Sequence, residues 1–276
     1  MQTITGLPLT SDAAKLRALA WRDLAAGIGD VSLWARLGTR DLTRRYRRTL
    51  LGPLWGSARV GIFVMALGLV GSRLMPGSGV LYVPYVAAGM VIWTFLLETT
   101  TEFSMLFTSR GQLIRQIKLP YSLLVCIALW RHFLILLHHA VIVVLAMIIY
   151  GVPITSATPL VLIGLVSLIA VMLPWGIIVA IACARFRDLQ PLIASILQIA
   201  FFVTPVFWLP SQLASGAGVI VGFNPAYYFI EIVRAPLLGA APDPLCWIVV
   251  PGLIVLTWTS AIALLARTRH RIAFWL

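Results

Sequence analysis

Glu98, Glu102 and Arg131 are the residues most in need of partners, because each stands inside a long apolar stretch. Ionised groups are costly within a bilayer, so they pair with one another or face a water-filled cavity. Glu98 and Glu102 share a helix face at i, i+4. Arg131 lies about ten residues into the following apolar run, roughly 15 Å from its start at 1.5 Å per residue. An ion pair between Arg131 and Glu98 across two antiparallel helices is expected. A second set is aromatic and clusters late in the chain. Sugar rings stack on aromatic faces through their C–H edges, which makes Phe202, Phe207, Trp208, Tyr227 and Tyr228 candidates for a glycan path; an interfacial aromatic belt is the competing reading. Third comes a basic run, RDLTRRYRRTL, with five arginines between Arg40 and Arg48. Such a cluster beside an apolar span fixes which side of a membrane its segment occupies.

Motifs for catalysis are missing from this sequence. It holds no phosphate-binding Gly-x-x-x-x-Gly-Lys-Ser/Thr, no His-Glu-x-x-His and no Gly-x-Ser-x-Gly. His138 and His139 are adjacent, about 100° apart on a helix, and cannot chelate together. Cys126, Cys183 and Cys246 are far apart in apolar sequence and read as buried small hydrophobes. No catalytic residue, metal site or cofactor is expected on this chain, and any energy source must be a separate subunit.

These residues need membrane-spanning elements to hold them. The 276 residues are 61% hydrophobic and 11% charged. A soluble domain carries about 25% charge, so the chain reads as an all-α integral membrane protein. A net charge of +12 raises nucleic-acid binding, but the basic residues fall between apolar runs, where positive-inside topology accounts for them. No nucleic-acid partner is expected.

Runs of about 20 apolar residues mark six transmembrane spans, near 57–75, 81–104, 121–149, 159–182, 189–209 and 246–266. Pro76-Gly77-Ser78-Gly79 reads as a turn between the first two. The polar N-terminus shows no cleavable signal peptide, and the distribution of Lys and Arg places both termini in the cytoplasm. Residues 1–56 form a cytoplasmic N-terminal part and 57–276 the six-span domain. Two non-spanning helices are expected over 11–28 and 32–50, with Ser11 and Ser32 as N-caps. The second is amphipathic through Leu42, Tyr46 and Leu50, as in a helix lying in the membrane interface. Over 108–118 a short helix carries Leu113, Ile114 and Ile117 on one side, with Gln112 just ahead of them and Arg110, Arg115 and Lys118 as charges. It fits either a solvated positive-inside loop or a knob for a cytoplasmic partner. Region 211–245 is too apolar for an ordinary loop. A helix capped by Asn224-Pro225 and ended by Gly239 should dip into the outer leaflet and return. Thr204-Pro205 should kink the fifth span.

Together these motifs resemble the permease subunit of ABC-2-type exporters, in the branch that moves O-antigens and other cell-surface polysaccharides. RDLTRRYRRTLLGPLW at 40–55 resembles the family's interface helix and entry to span one. LIRQIKLP at 113–120 resembles its coupling helix. ARFRDLQPLIASILQIAFFVTPVFW at 184–208 resembles its Arg-Phe-Arg-Asp loop and kinked fifth span, and NPAYYFIEIVRAPLLG at 224–239 its re-entrant helix. The C-terminal RIAFWL also fits, whereas residues 1–30 match no family feature. The resemblance implies a homodimer working with two copies of a cytoplasmic ATPase that binds ATP and Mg. It implies a bacterial inner-membrane location, a channel lined partly by spans one and five, and ATPase contact through 108–118. The substrate implied is an undecaprenyl-diphosphate-linked glycan. Guanidinium groups bind phosphate oxygens in pairs, so Arg44, Arg45, Arg47 and Arg48 are the candidate diphosphate contacts. Other cargoes of the same family are alternatives: a capsular polysaccharide, a teichoic acid or a lipo-oligosaccharide. A membrane-embedded transferase for lipid-linked sugars lacks polar catalytic residues here, and an ion-coupled carrier would need internal repeats and more intramembrane acids.

Overall fold

The computed structural model describes residues 9–47, 52, 54–74, 81–210 and 221–276, and among them every regular element is a helix. Two helices precede the first span, α1 (Leu9–Gly29) and α2 (Val31–Tyr46). Next come α3 (Leu54–Leu74), α4 (Tyr82–Ser109), the short α5 (Gly111–Gln116) and α6 (Tyr121–Ile149). The rest are α7 (Leu160–Arg185), α8 (Leu189–Val203), α9 (Pro225–Leu237), α10 (Cys246–Thr268) and α11 (Ile272–Trp275). Five of these, α3, α4, α6, α7 and α10, are long and apolar enough to cross a membrane. The expected turn at 76–79, Arg48, and residues 211–220 of the expected re-entrant region lie outside the described residues.

Helix α4 is the hub. It packs against α3, α6, α7, α8 and α9, and its run from Val86 to Trp93 is buried throughout. Small residues make that possible. At Gly89 a Cβ would stand 2.6 Å from the Val206 carbonyl, so only glycine lets the chain after α8 approach this closely. By contrast, α8 packs mainly against α4 and α7, and none of its residues is buried. Helix α3 likewise leaves Ile62, Phe63 and Met65 exposed.

Several boundaries differ from those read in the sequence. Helix α8 stops at Val203, because Thr204 turns extended (φ −86°, ψ 134°) ahead of Pro205, as a residue before proline prefers. Its 15 residues reach about 22 Å, short of a hydrocarbon core of about 30 Å. Helix α4 continues to Ser109, so the short helix expected over 108–118 shrinks to 111–116, with Arg110 at the break. The cap of α2 is Asp30 rather than Ser32: its Oδ1 accepts from the Leu33 N–H at 3.1 Å, and Ser32 merely donates to it. Ser11 falls inside α1.

Helix α1 supplies something the local sequence cannot. Pro120 precedes α6 and has no side chain able to cap it. Asp23 of α1, wholly buried, fills that role, accepting from the Tyr121 and Ser122 N–H groups at 3.2 and 3.1 Å and from Arg269 at 3.1 Å. A carboxylate on orphan helix N–H groups stabilises by about 1 kcal/mol or more. Part of the expected apolar stripe of α2 also lies on protein, while Leu37 is exposed. Trp34 stacks edge-on against Trp130 of α6 at 5.5 Å, and Gly38 and Leu42 are buried.

Candidate functional site

The charges within the apolar helices converge where α2, α4 and α6 meet. Arg131, with a side chain 9% exposed, bonds Glu102 of α4 and Asp41 of α2. Asp41 also takes Arg110, at the α4–α5 break, at 3.1 Å. His132 bonds Glu102 at 2.8 Å, and His139 bonds Ser57 of α3 at 3.1 Å. The expected Arg131–Glu98 pair is therefore corrected. Glu98 instead holds Arg59 of α3, at 2.6 Å. The reason is the tilt of side chains toward their own helix N-terminus. Helices α4 and α6 run antiparallel, so Arg131 leans toward the α5 end while both glutamates lean away from it. Glu102, one turn nearer α5, is lifted to meet Arg131, and Glu98 is carried beyond its reach.

Two cavities lie along this network. One, of about 800 Å³, is the more polar and is lined by Arg45, Arg110, Glu102, His132 and His139 among others. Among the described residues, the buried Nε2 of His139 has no hydrogen-bond partner. The other, of about 500 Å³, is a mostly apolar groove between α3 and α8, floored by α4 through Met90 and Trp93. Arg59, Leu97, Glu98 and Gln198 line both. The two spaces thus border one another, and the Arg59–Glu98 pair stands at this boundary, the neck between them.

The expected contact residues are distributed unevenly around these spaces. Arg45 lines the polar cavity; Arg44 and Arg47 are exposed at the end of α2. Arg110, expected to face a partner, turns inward to Asp41. Leu113 and Ile114 pack on the core, while Gln112, Arg115, Ile117 and Lys118 are exposed. Arg115, Ile117 and Lys118 join Arg22, Asp23 and Arg269 around a third cavity, of about 480 Å³. Phe202 lines the groove, and Phe207 stacks with Phe201 at 5.3 Å. The Trp208 indole N–H donates to the Phe202 carbonyl at 3.0 Å. Tyr227 and Tyr228 pair with each other at 5.3 Å on α9, and the Tyr228 hydroxyl is spent on the Gly222 carbonyl. Burial raises the Tyr227 phenol, and the Glu231 carboxylate adds to this, so it keeps its proton.

Beyond α8 the chain makes an elbow over residues 204–208 that is tied from two sides. Tyr82 and Tyr85 of α4 donate to the carbonyls of Phe207, at 2.7 Å, and of Pro205 and Trp208, at 3.1 Å each. From α9, Arg234 donates to the Pro205 carbonyl at 2.7 Å, and Asn224 to Thr204 at 2.8 Å. Arg234 is 1% exposed, neutralised by Glu231 at 2.6 Å, with its guanidinium 3.8 Å from the Tyr85 ring centre. Proline carbonyls freed by a broken helix need donors, and these residues provide them. Asp41, Arg59, Asp23 and the role of Arg234 escaped the sequence reading. For Arg59 and Arg234 the available signal was a cation in an apolar setting.

A family model described as ABC-2 type transporter matches residues 32–238. Two relatives from Klebsiella pneumoniae, both named O-antigen export system permease protein RfbA, are 23% and 21% identical over 192 and 188 residues. Each alignment spans 67% of this chain and 72% of the relative. The family match takes in the vestibule, the groove and the tied elbow, well over half of the chain, and the chain belongs to the ABC-2 type transporter family.

Proposed function

We propose that this chain is the permease subunit of an ATP-driven exporter that carries a lipid-linked, O-antigen-type polysaccharide from the cytoplasmic to the outer side of a bacterial inner membrane. The observation that carries the reading is the pair of joined cavities. A more polar, arginine-bearing vestibule adjoins an apolar, aromatic groove whose walls, α3 and α8, leave large apolar side chains exposed. A phosphate-bearing headgroup and the rings of a glycan need these two surfaces in this order. The names of the relatives support the same cargo class.

In this reading both termini are cytoplasmic. Helix α8 with its 204–208 elbow forms a short fifth crossing, and α9 belongs to a re-entrant unit on the outer side. A second copy closes the groove along α3 and α8. Two copies of a separate ATPase bind ATP and Mg, and dock on the exposed side of α5 through Gln112, Arg115, Ile117 and Lys118. Arg44, Arg45 and Arg47 at the end of α2, with Arg48 next in sequence, meet the lipid diphosphate, because guanidinium groups match phosphate oxygens in pairs. Depleting the chain from its host should strip the polysaccharide from the cell surface and leave it lipid-linked on the cytoplasmic leaflet. Unchanged surface polysaccharide would contradict the reading.

A further inference from the structure

We infer that the Arg59–Glu98 pair is an exchangeable lock at the neck, where Arg59 leaves Glu98 for a phosphate oxygen of the passing substrate. This rests on the lipid-linked substrate proposed above and adds a residue, a position and an order of events to it. Arg59 differs from the other cations of the network. Arg131 is 9% exposed and divided between two carboxylates, as befits a structural anchor. Arg59 is 70% exposed and, among the described residues, gives a single bond, from Nη2 to Glu98. A guanidinium has five N–H donors, so most of its capacity remains open toward the two cavities it lines.

Position decides what that capacity meets. Among the described residues Arg59 is the one cation lining the apolar groove, and Glu98 is the one anion. An anionic headgroup moving from the vestibule toward the groove therefore passes a carboxylate that repels it and a guanidinium that attracts it. An ion pair this exposed is weak. A two-point guanidinium–phosphate contact is among the stronger polar interactions, so exchange runs toward the phosphate. Glu98 then keeps the neck closed to anions that cannot make that exchange. No bond is made or broken covalently, and the displaced carboxylate, 29% exposed, is left to water in the vestibule.

The test turns on sign. The chain, purified with its ATPase in phosphatidylcholine nanodiscs, is titrated with undecaprenyl diphosphate, with inorganic diphosphate as competitor. Arg59→Gln should weaken binding about tenfold, the usual loss for one charge-assisted contact, and Arg59→Lys should recover part of it. Glu98→Gln should tighten binding, because it removes the competitor for Arg59 and leaves the cation in place. Retained ATPase activity in each variant shows that the complex is assembled. A pair that only staples α3 to α4 would make both single variants fail alike or leave both unchanged, and either result overturns the lock. Equal displacement by inorganic diphosphate would show that the neck reads free diphosphate and would also overturn it. Wild-type complex that binds no undecaprenyl diphosphate would sink the lipid-linked substrate, and the lock with it.

Discussion

Arg131 is the most buried arginine of its network, and its two carboxylates, Glu102 and Asp41, are what make that burial tolerable. Removing one partner of a buried pair costs more than the pair itself contributes, about 3 kcal/mol, because the remaining charge is stranded. Glu102→Gln should therefore lower the thermal stability of the detergent-solubilised chain clearly. Glu98→Gln should cost less than about 1 kcal/mol, since its partner Arg59 is largely exposed. Equal losses from the two variants would contradict the assignment. The sequence marked these three charges as the ones needing partners but misjudged the pairing. Depth along each helix suggested Glu98; the opposite lean of side chains on antiparallel helices selects Glu102. Asp41 lay outside the reading because it sits among exposed arginines, where an acid looks like ordinary surface charge.

At the scale of elements, the elbow after α8 and the start of α6 are both held by residues far away in sequence. Arg234 and Asn224 reach the elbow from α9, and Tyr82 and Tyr85 from α4. Arg234→Met keeps the bulk of the side chain but removes the donor to the Pro205 carbonyl and strands Glu231. Hydrogen exchange in the 204–208 segment should then rise while α4 stays protected, and unchanged exchange there would show that Arg234 holds nothing. Asp23→Ala removes the cap of α6 and should cost about 2 kcal/mol, read as a fall in unfolding temperature. Helix positions were legible because their apolar runs are long: α6 and α10 begin where the hydropathy places them. The bonds that tie α1 to α6 and α9 to α8 were not, because no local pattern shows which distant side chain will satisfy an orphan backbone group.

For the whole molecule, the central feature is a groove with two walls and a floor in a single copy of the chain. Its walls expose Phe63 on α3 and Phe202 on α8, and the three native cysteines are buried. Cysteines introduced at Phe63 or Phe202 should react with a water-soluble maleimide in the assembled complex, whereas one at Ile248, exposed on α10 away from the groove, should stay protected by lipid. Reaction at Ile248 and not at the groove would reverse the assignment of wet and lipid-facing surfaces. The family was legible in the order of four motifs, yet the cavities were not, since they arise between helices distant in sequence, the groove from α3 and α8 flanking α4. The most direct measurement is translocation in proteoliposomes holding this chain and its ATPase, with lipid-linked glycan on the ATPase side. The account predicts that ATP makes the glycan accessible to a glycosidase in the opposite compartment, and only when both subunits are present. Translocation by this chain alone, or none with both subunits and ATP, would contradict it.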